Sequence, residues 1–181
     1  MMKSNDSGGV KTPPTALKAH WRIRDAVIAD HPALLALNNG AVPHVNPLDE
    51  AQFAWLASQA KYFRVLEDAG GIAGFVLCVP SGVDYWSENY KWFSQRYAEF
   101  LYLDRVIVVE RARRGGVGRA LYEDLHETHA ADYLRVTLEV NLRPPNPASV
   151  AFHERMGYRA IGVREYDGGK KAVQMYERPL D

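Results

Sequence analysis

The chain has no excess of charge of either sign. Its 181 residues carry 22 Lys and Arg against 22 Asp and Glu, a formal net charge of zero. This excludes a globally basic face for nucleic acid or for an anionic membrane surface, so any anionic partner must be met by a local cluster. Cysteine is nearly absent. Cys78 stands alone, which rules out an intrachain disulfide, and its place in the apolar run Ile72–Val79 reads as a packed strand residue. No Cys/His spacing resembles a zinc site. No apolar stretch reaches the roughly 18 residues of a membrane span. The N-terminus has no hydrophobic signal region. Together these absences predict a cytoplasmic protein with no metal and with neither nucleic acid nor membrane as a partner.

What is present is ordinary globular material, 47% hydrophobic and 24% charged. The length suits one domain that buries its core without staples. Residues 1–20 are polar and hold Gly8, Gly9, Pro13 and Pro14, which predicts a flexible arm ahead of a single domain over 21–181.

The order of elements follows from periodicity and breakers. Trp21–Asp25 reads as a short strand and Ala29–Leu37 as a helix, with Asn38, Asn39 and Gly40 as its cap. Pro43 and Pro47 make 41–48 a loop. Asp49–Ala60 restarts a helix, and Tyr62–Glu67 and Gly71–Val79 form a hairpin around Asp68-Ala69-Gly70. Eight of the chain's 20 aromatic residues fall between Tyr85 and Tyr102, and the second half of that segment, with Trp92, Arg96 and Glu99 at helical spacing, is predicted as helix. Leu101–Val109 is a fourth strand, Gly116–Ala131 a helix with Val117, Leu121 and Leu125 on one stripe, and Leu134–Val140 a fifth strand. Pro147–Met156 is a helix capped by Asn146 and stopped at Gly157. Tyr158–Tyr166 and Lys171–Arg178 form a hairpin around Asp167-Gly168-Gly169. The fourth and fifth strands, joined by a helix, should be parallel neighbours and the hairpins antiparallel, giving a mixed sheet with helices on its faces.

The chemistry concentrates at Arg113-Arg114-Gly115-Gly116-Val117-Gly118-Arg119-Ala120, where a strand gives way to a helix. Arg111, Arg113, Arg114 and Arg119 surround three glycines there. Unpaired amides of a helix start, its dipole and nearby guanidinium groups suit phosphate. Three phosphate-binding patterns compete. The Lys-Ser/Thr of a P-loop is absent. A dinucleotide fingerprint has Gly116-x-Gly118 and an acid, Glu139, 21 residues beyond Gly118, but Leu121 stands at its third glycine position. Roughly sixty residues remain after the loop, too few to complete such a domain.

The third pattern, Arg/Gln-x-x-Gly-x-Gly/Ala, resembles the coenzyme A loop of the GNAT superfamily of acyl-CoA N-acyltransferases. A second segment supports it: Asn146-Pro147-Ala148-Ser149-Val150-Ala151-Phe152-His153-Glu154-Arg155-Met156-Gly157-Tyr158 is similar to that superfamily's Asn-x-x-Ala-x-x-Leu-Tyr-Glu-Lys-x-Gly-Phe. Both motifs stand in the expected element order, and the match extends over about residues 21 to 180.

The resemblance implies an α/β fold: a central mixed, largely antiparallel sheet whose parallel fourth and fifth strands splay apart, flanked by helices. It implies acetyl-CoA as co-substrate and no metal. Backbone of Val108 and Val109 would pair with the pantetheine arm, and amides from Arg114 through Gly115, Gly116, Val117 and Gly118 to Arg119 would hold the pyrophosphate, with Arg113 and Ala120 also at the coenzyme. Asn146, Ser149 and Phe152 would contact the coenzyme, and Asn141, at the end of the fifth strand, could orient substrate or coenzyme. His153 takes the place of the superfamily's proton-donating Tyr and could protonate the departing thiolate or merely fill its slot. Asp104 and Glu139, on the strands that frame the thioester, are alternative general bases, or partners in salt bridges, for example Asp104 with Arg105. Tyr85, Trp86, Tyr90 and Trp92 could wall an acceptor pocket or pack the core, and Asn38, Asn39 and His44 could contact the acceptor. The implied activity is N-acetylation of a primary amine by direct attack. The acceptor is a small molecule or a peptide, and a homodimer is possible. A non-catalytic acyl-CoA sensor and a dinucleotide-binding oxidoreductase are the alternatives.

Overall fold

A computed structural model describes residue 18 and residues 20–129 and 131–180. The arm expected over residues 1–20 falls almost wholly outside that range. The elements run β1 (Arg22–Asp25), α1 (His31–Gly40), α2 (Glu50–Gln59), β2 (Tyr62–Asp68), β3 (Gly71–Pro80), α3 (Glu88–Ser94), β4 (Leu101–Val108), α4 (Val117–His129), β5 (Arg135–Arg143), α5 (Pro147–Arg155), β6 (Arg159–Tyr166) and β7 (Lys171–Pro179).

Local chemistry sets the helix starts. At α2 the Asp49 carboxylate accepts from the Gln52 amide, and the Gln52 side chain accepts from the Asp49 amide. At α5 the Asn146 side-chain oxygen accepts from the Ser149 amide, with Pro147 at the first helical position. Two expectations shift. Asn38, Asn39 and Gly40 form the last turn of α1 rather than its cap, which is Ala41. The helix in the aromatic segment lies earlier than its spacing suggested. Ser87 caps it by accepting from the Tyr90 amide, and it ends at Ser94, before Arg96 and Glu99. Arg96 then folds back so that its guanidinium lies 3.4 Å from the Trp92 ring.

The seven strands form one sheet in the order β1-β2-β3-β4-β5-β7-β6. Only β4 and β5 are parallel. A doubly wound dinucleotide sheet is therefore excluded. The parallel pair is very short, with Leu101 opposite Val136 and Tyr102 opposite Thr137. A bulge in β4 accompanies the parting: Cys78 faces Leu103 and Leu77 faces Arg105, so Asp104 is an extra residue. The bulge inverts the alternation of β4. Before it, Leu101 and Leu103 pack on the face covered by α4; after it, Val106 and Val108 pack there while Ile107 points to the other face.

The core is two clusters, one on each face. Val76 and Cys78 of β3 meet α4, whereas Phe75, Leu77 and Val79 meet α1, α2 and α3. The predicted stripe of α4, Val117, Leu121 and Leu125, is fully buried. Beyond β5, Glu177 of β7 ties three strands together by accepting from Arg135 at 3.0 Å and from Arg159 at 2.6 Å.

Gly74 of β3 sits where β4 approaches α4. A Cβ there would lie 2.7 Å from the Ile107 carbonyl oxygen and 3.1 Å from Val117. Because one of those atoms is backbone, Gly74→Ala must push β4 outward. We expect it to lose about 1–3 kcal/mol of stability, measured by urea denaturation; an unchanged midpoint would show that β4 yields freely.

Candidate active site

Two cavities lie on opposite faces of the sheet and meet at the gap between β4 and β5. The first, about 1010 Å³, is a groove on the α4/α5 face, lined by the loop 112–119, Phe152 and Arg178. The second, about 980 Å³, lies on the α1–α3 face between the loop 41–47, the start of α3 and the strands β4, β5 and β7. Val106, Val108, Arg113, Tyr122, Ser149 and His153 line both, and so mark the junction.

The groove is built for an anion. Arg114 has φ 60 and Gly116 φ 96, two left-handed positions that turn the loop into the helix. Gly116 takes such a value without a Cβ penalty, whereas Arg114 bears strain. The amides of Gly116, Val117, Gly118 and Arg119 have no acceptor among the described residues, as befits the first turn of α4. The Gly115 amide is spent on the Ala112 carbonyl, which removes it from the expected set; the Arg113 and Ala120 amides are likewise spent, on the Glu110 and Gly116 carbonyls. The Arg113 guanidinium reaches the Val108 carbonyl at 3.3 Å. A similar correction applies on β4. The Val109 amide donates to Ala73 and its carbonyl accepts from Ala112, so it has nothing to offer a ligand. By alternation the peptide groups of Val108 point away from β3, toward the gap. Arg178, on the rim of the groove, donates to Nδ1 of His126, whose other ring nitrogen meets the Tyr158 hydroxyl at 2.8 Å. Burial, then the charge of Arg178, pushes the His126 pKa down to about 3.

At the junction His153 is buried and both its nitrogens are engaged. Nδ1 lies 2.8 Å from the Ser149 carbonyl and 3.3 Å from the Ser149 hydroxyl, and Nε2 lies 2.7 Å from the Tyr122 hydroxyl. A carbonyl can only accept, so Nδ1 carries the proton and Nε2 accepts from Tyr122. Burial pushes the pKa of His153 down to about 4, with the Ser149 carbonyl opposing. The ring is therefore neutral at pH 7, without the spare proton of an imidazolium.

In the second cavity the two candidate carboxylates differ. Asp104, aimed by the bulge, accepts from the Tyr85 hydroxyl at 2.7 Å and from Arg105 at 2.8 Å. Both its oxygens are held, so the salt bridge proposed for it exists. Glu139 of β5 accepts from the Tyr102 hydroxyl at 2.8 Å and from the Asn89 side chain at 2.8 Å. Burial raises its pKa to about 7, although both hydrogen bonds pull it down. It faces the cavity, as do Asn141 and Asn146, which belong to this side of the sheet and not to the groove.

The aromatic candidates divide. Tyr85 and Trp86 line the cavity, and the Trp86 ring packs at a tilt against Trp55, with centroids 4.5 Å apart. Tyr90 lies in the core, its hydroxyl donating to the Pro80 carbonyl and accepting from the Val83 amide, and Trp92 packs against Gly162. Neither lines either of these two cavities. His44 does line the second, but Asn38 and Asn39 do not. They brace the loop that carries His44: Asn38 donates to the Asn46 carbonyl, and Asn39 both donates to the Leu48 carbonyl and accepts from its amide.

Sequence reasoning missed Tyr122, Tyr102 and Asn89 as site residues. Tyr122 could have been found from its place one turn after Gly118, on the side of α4 that follows the loop. The other two are signalled by nothing local, since strand register and the packing of α3 bring them in. Arg105 is the salt-bridge partner expected for Asp104.

Comparison with known proteins fits this geometry. The sequence profile described as Acetyltransferase (GNAT) family matches residues 23–158. An L-methionine sulfoximine/L-methionine sulfone acetyltransferase of Pseudomonas aeruginosa is 30% identical over 155 residues, covering 82% of this chain and 86% of that protein. The crystal structure of the ribosomal-protein-S18-alanine N-acetyltransferase from Escherichia coli superposes with TM-score 0.67 at 21% identity, over 89% of this chain and 94% of that one. An N-acetyltransferase from Staphylococcus aureus Mu50 gives TM-score 0.67 at 20% identity, over 90% and 100%. These two structures share the fold.

Nitrogen-15 NMR of the imidazoles should find His153 as the Nδ1–H tautomer, protonating only near pH 4. Unfolded histidine binds its proton near pH ~6.5. The unfolded chain therefore holds more protons between the two values, and stability should fall as pH drops through that window. A His153 that titrates near its ordinary value would contradict the buried network.

Proposed function

We propose, from the premise that this chain belongs to the GNAT acetyltransferase family, how it works as an N-acetyltransferase: acetyl-CoA and an amino-acid-like primary amine enter from opposite faces of the sheet and react directly in one ternary complex. The observation that carries this is the meeting of the two cavities at the gap between β4 and β5, with Glu139 beside it. We take residues 21–181 as the catalytic unit and the cytoplasm as its place of work. The acceptor class draws on the Pseudomonas relative, which acts on methionine sulfoximine and methionine sulfone.

The residues present fit a CoA thioester. Four free amides and the guanidinium groups of Arg113, Arg114 and Arg119 suit its pyrophosphate, and the open edge of β4 at Val108 suits its amide-bearing arm. Acetyl-CoA supplies an activated acetyl group with a thiolate to leave. The Val108 amide, directed into the gap, would stabilise charge gathering on the carbonyl oxygen. Glu139 serves as base. Alkyl amines are mostly protonated below pH ~10, and a carboxylate lifted to neutrality is matched to removing that proton at pH 7. Asp104 instead fixes Tyr85 and Arg105. His153 acts through its neighbours: Nδ1–H holds the Ser149 backbone and hydroxyl oxygen, leaving the Ser149 hydroxyl proton free for the departing thiolate, while Nε2 anchors Tyr122.

An amine panel assayed for CoA thiol release tests the reaction; acetyl-CoA binding with no release on any amine would leave a sensor instead. The roles predict three further outcomes. Glu139→Gln lowers kcat on the order of 10²- to 10⁴-fold. In the unaltered enzyme kcat/KM rises with pH to a plateau above about 7, where Glu139 is ionised. Tyr102→Phe removes a hydrogen bond that favours the ionised form, so that midpoint should move to higher pH. An unmoved midpoint would reassign the limb to another group.

A further inference from the structure

Among the described residues, several cations without a carboxylate partner gather at the two cavities, while others such as Arg22, Arg96 and Lys61 lie elsewhere. Most arginines are paired: Arg24, Arg64, Arg105, Arg111, Arg119, Arg135, Arg143 and Arg159 each hold an acidic side chain. Among those that do not, Arg113, Arg114, Arg155 and Arg178 line the coenzyme groove. On the other face, Arg164 of β6 and Lys171 of β7 line the acceptor cavity. Neither has an acidic partner within 4.0 Å among the described residues. Arg164 is half-buried, and its guanidinium carbon lies 5.1 Å from the Tyr166 ring, with Lys171 on the same ring at 6.0 Å. The carboxylates that share the cavity take their hydrogen bonds elsewhere, although the charge of Arg164 acts on Glu88 from beyond contact. Glu88 accepts from Lys91 at 2.9 Å, Asp104 from Tyr85 and Arg105, and Glu139 from Tyr102 and Asn89.

We infer that Arg164, backed by Lys171, binds a carboxylate carried by the acceptor itself, so that the enzyme selects free α-amino acids over amines and peptides that lack a nearby carboxylate. The inference rests on the transferase reading above and deepens it. Sheet register supplies the geometry. Arg164 is opposite Val173, which is opposite Asn141, and Glu139 lies one pair further along the same face of β5. Strand spacing and rise put the Cα atoms of Arg164 and Glu139 about 12 Å apart. Tyr102 of β4 and Asn89 of α3 hold the Glu139 carboxylate on the side away from β6, so an Arg164 extended along the cavity wall leaves between guanidinium and carboxylate a gap that one α-amino acid can bridge with its carboxylate and its amine. Tyr166 holds the guanidinium by its ring face, which leaves the donor edges free for a bidentate carboxylate. The amine then falls to Glu139, which is the group that must take its proton. A peptide N-terminus would put an amide where Arg164 expects an anion.

The test uses the full chain and a panel of L-α-amino acids, L-methionine sulfone among them, each paired with its carboxamide. The wild type should favour the free acids in kcat/KM on the order of 10- to 100-fold. Arg164→Ala should remove that preference by losing activity on the acids while leaving the amides unchanged, and Arg164→Lys should restore part of it. Calorimetric binding of the sulfone and its amide to CoA-saturated wild-type protein gives the same comparison without turnover. Equal use of acid and amide, or equal loss on both in Arg164→Ala, overturns the carboxylate site and leaves the transferase intact. Selective binding of the acid with no thiol release on any amine overturns the transferase and leaves the site.

Discussion

The buried pair of Asp104 and Arg105 is the constraint on which the rest of the structure depends. Asp104 is the residue that β4 cannot match to β3, and its side chain would be costly in the core without partners. Arg105 at 2.8 Å and the Tyr85 hydroxyl at 2.7 Å satisfy it. The bulge that results reverses which side chains of β4 face α4. It also coincides with the point where β4 and β5 stop pairing, and so with the opening that joins the two cavities. Arg105 then reaches the Asn46 carbonyl at 2.9 Å and fixes the wall of the second cavity. One unmatched residue thus links the gap in the sheet, the aromatic segment and the loop after α1.

Burial tunes the site differently on the two sides of that opening. On the α4/α5 face, His126 and His153 are kept neutral by desolvation and serve as fixed hydrogen-bonding groups among Tyr122, Tyr158 and Ser149. On the other face the same desolvation lifts Glu139 to neutrality, where a carboxylate can exchange a proton. The sign follows from the charge type: burial disfavours the charged form, which is the protonated histidine but the deprotonated glutamate.

Much of this was legible in the chain because it is written in local rules. The Asn146-Pro147 start of α5, the apolar stripe of α4, the hairpin turns and the glycine loop each depend on residues a few positions apart, and each stands where it was expected. The element order and the short parallel pair followed from them. What was not legible is long-range. That Val109 is spent on Ala73, that Asn38 and Asn39 brace a loop, and that Tyr90 and Trp92 belong to packing are facts of strand register and helix placement. The α3 boundary failed for a related reason: Trp92, Arg96 and Glu99 have helical spacing, but the cap at Ser87 started the helix earlier and the guanidinium of Arg96 chose the Trp92 ring. His153 was found by motif position, yet its protonation state depends on Tyr122, 31 residues away.

The loop after α1 is held in an unusual manner. Asn38, Asn39 and Arg105 grip it, and every one of those contacts is to main chain: the carbonyls of Asn46 and Leu48 and the amide of Leu48. A grip on backbone is indifferent to the side chains that the backbone carries. Ala41 and Val45 also anchor the loop in the core, but the side chains of Val42, His44 and Asn46 line the second cavity and take no part in that grip. Those three positions can therefore be rewritten while the frame stays as it is.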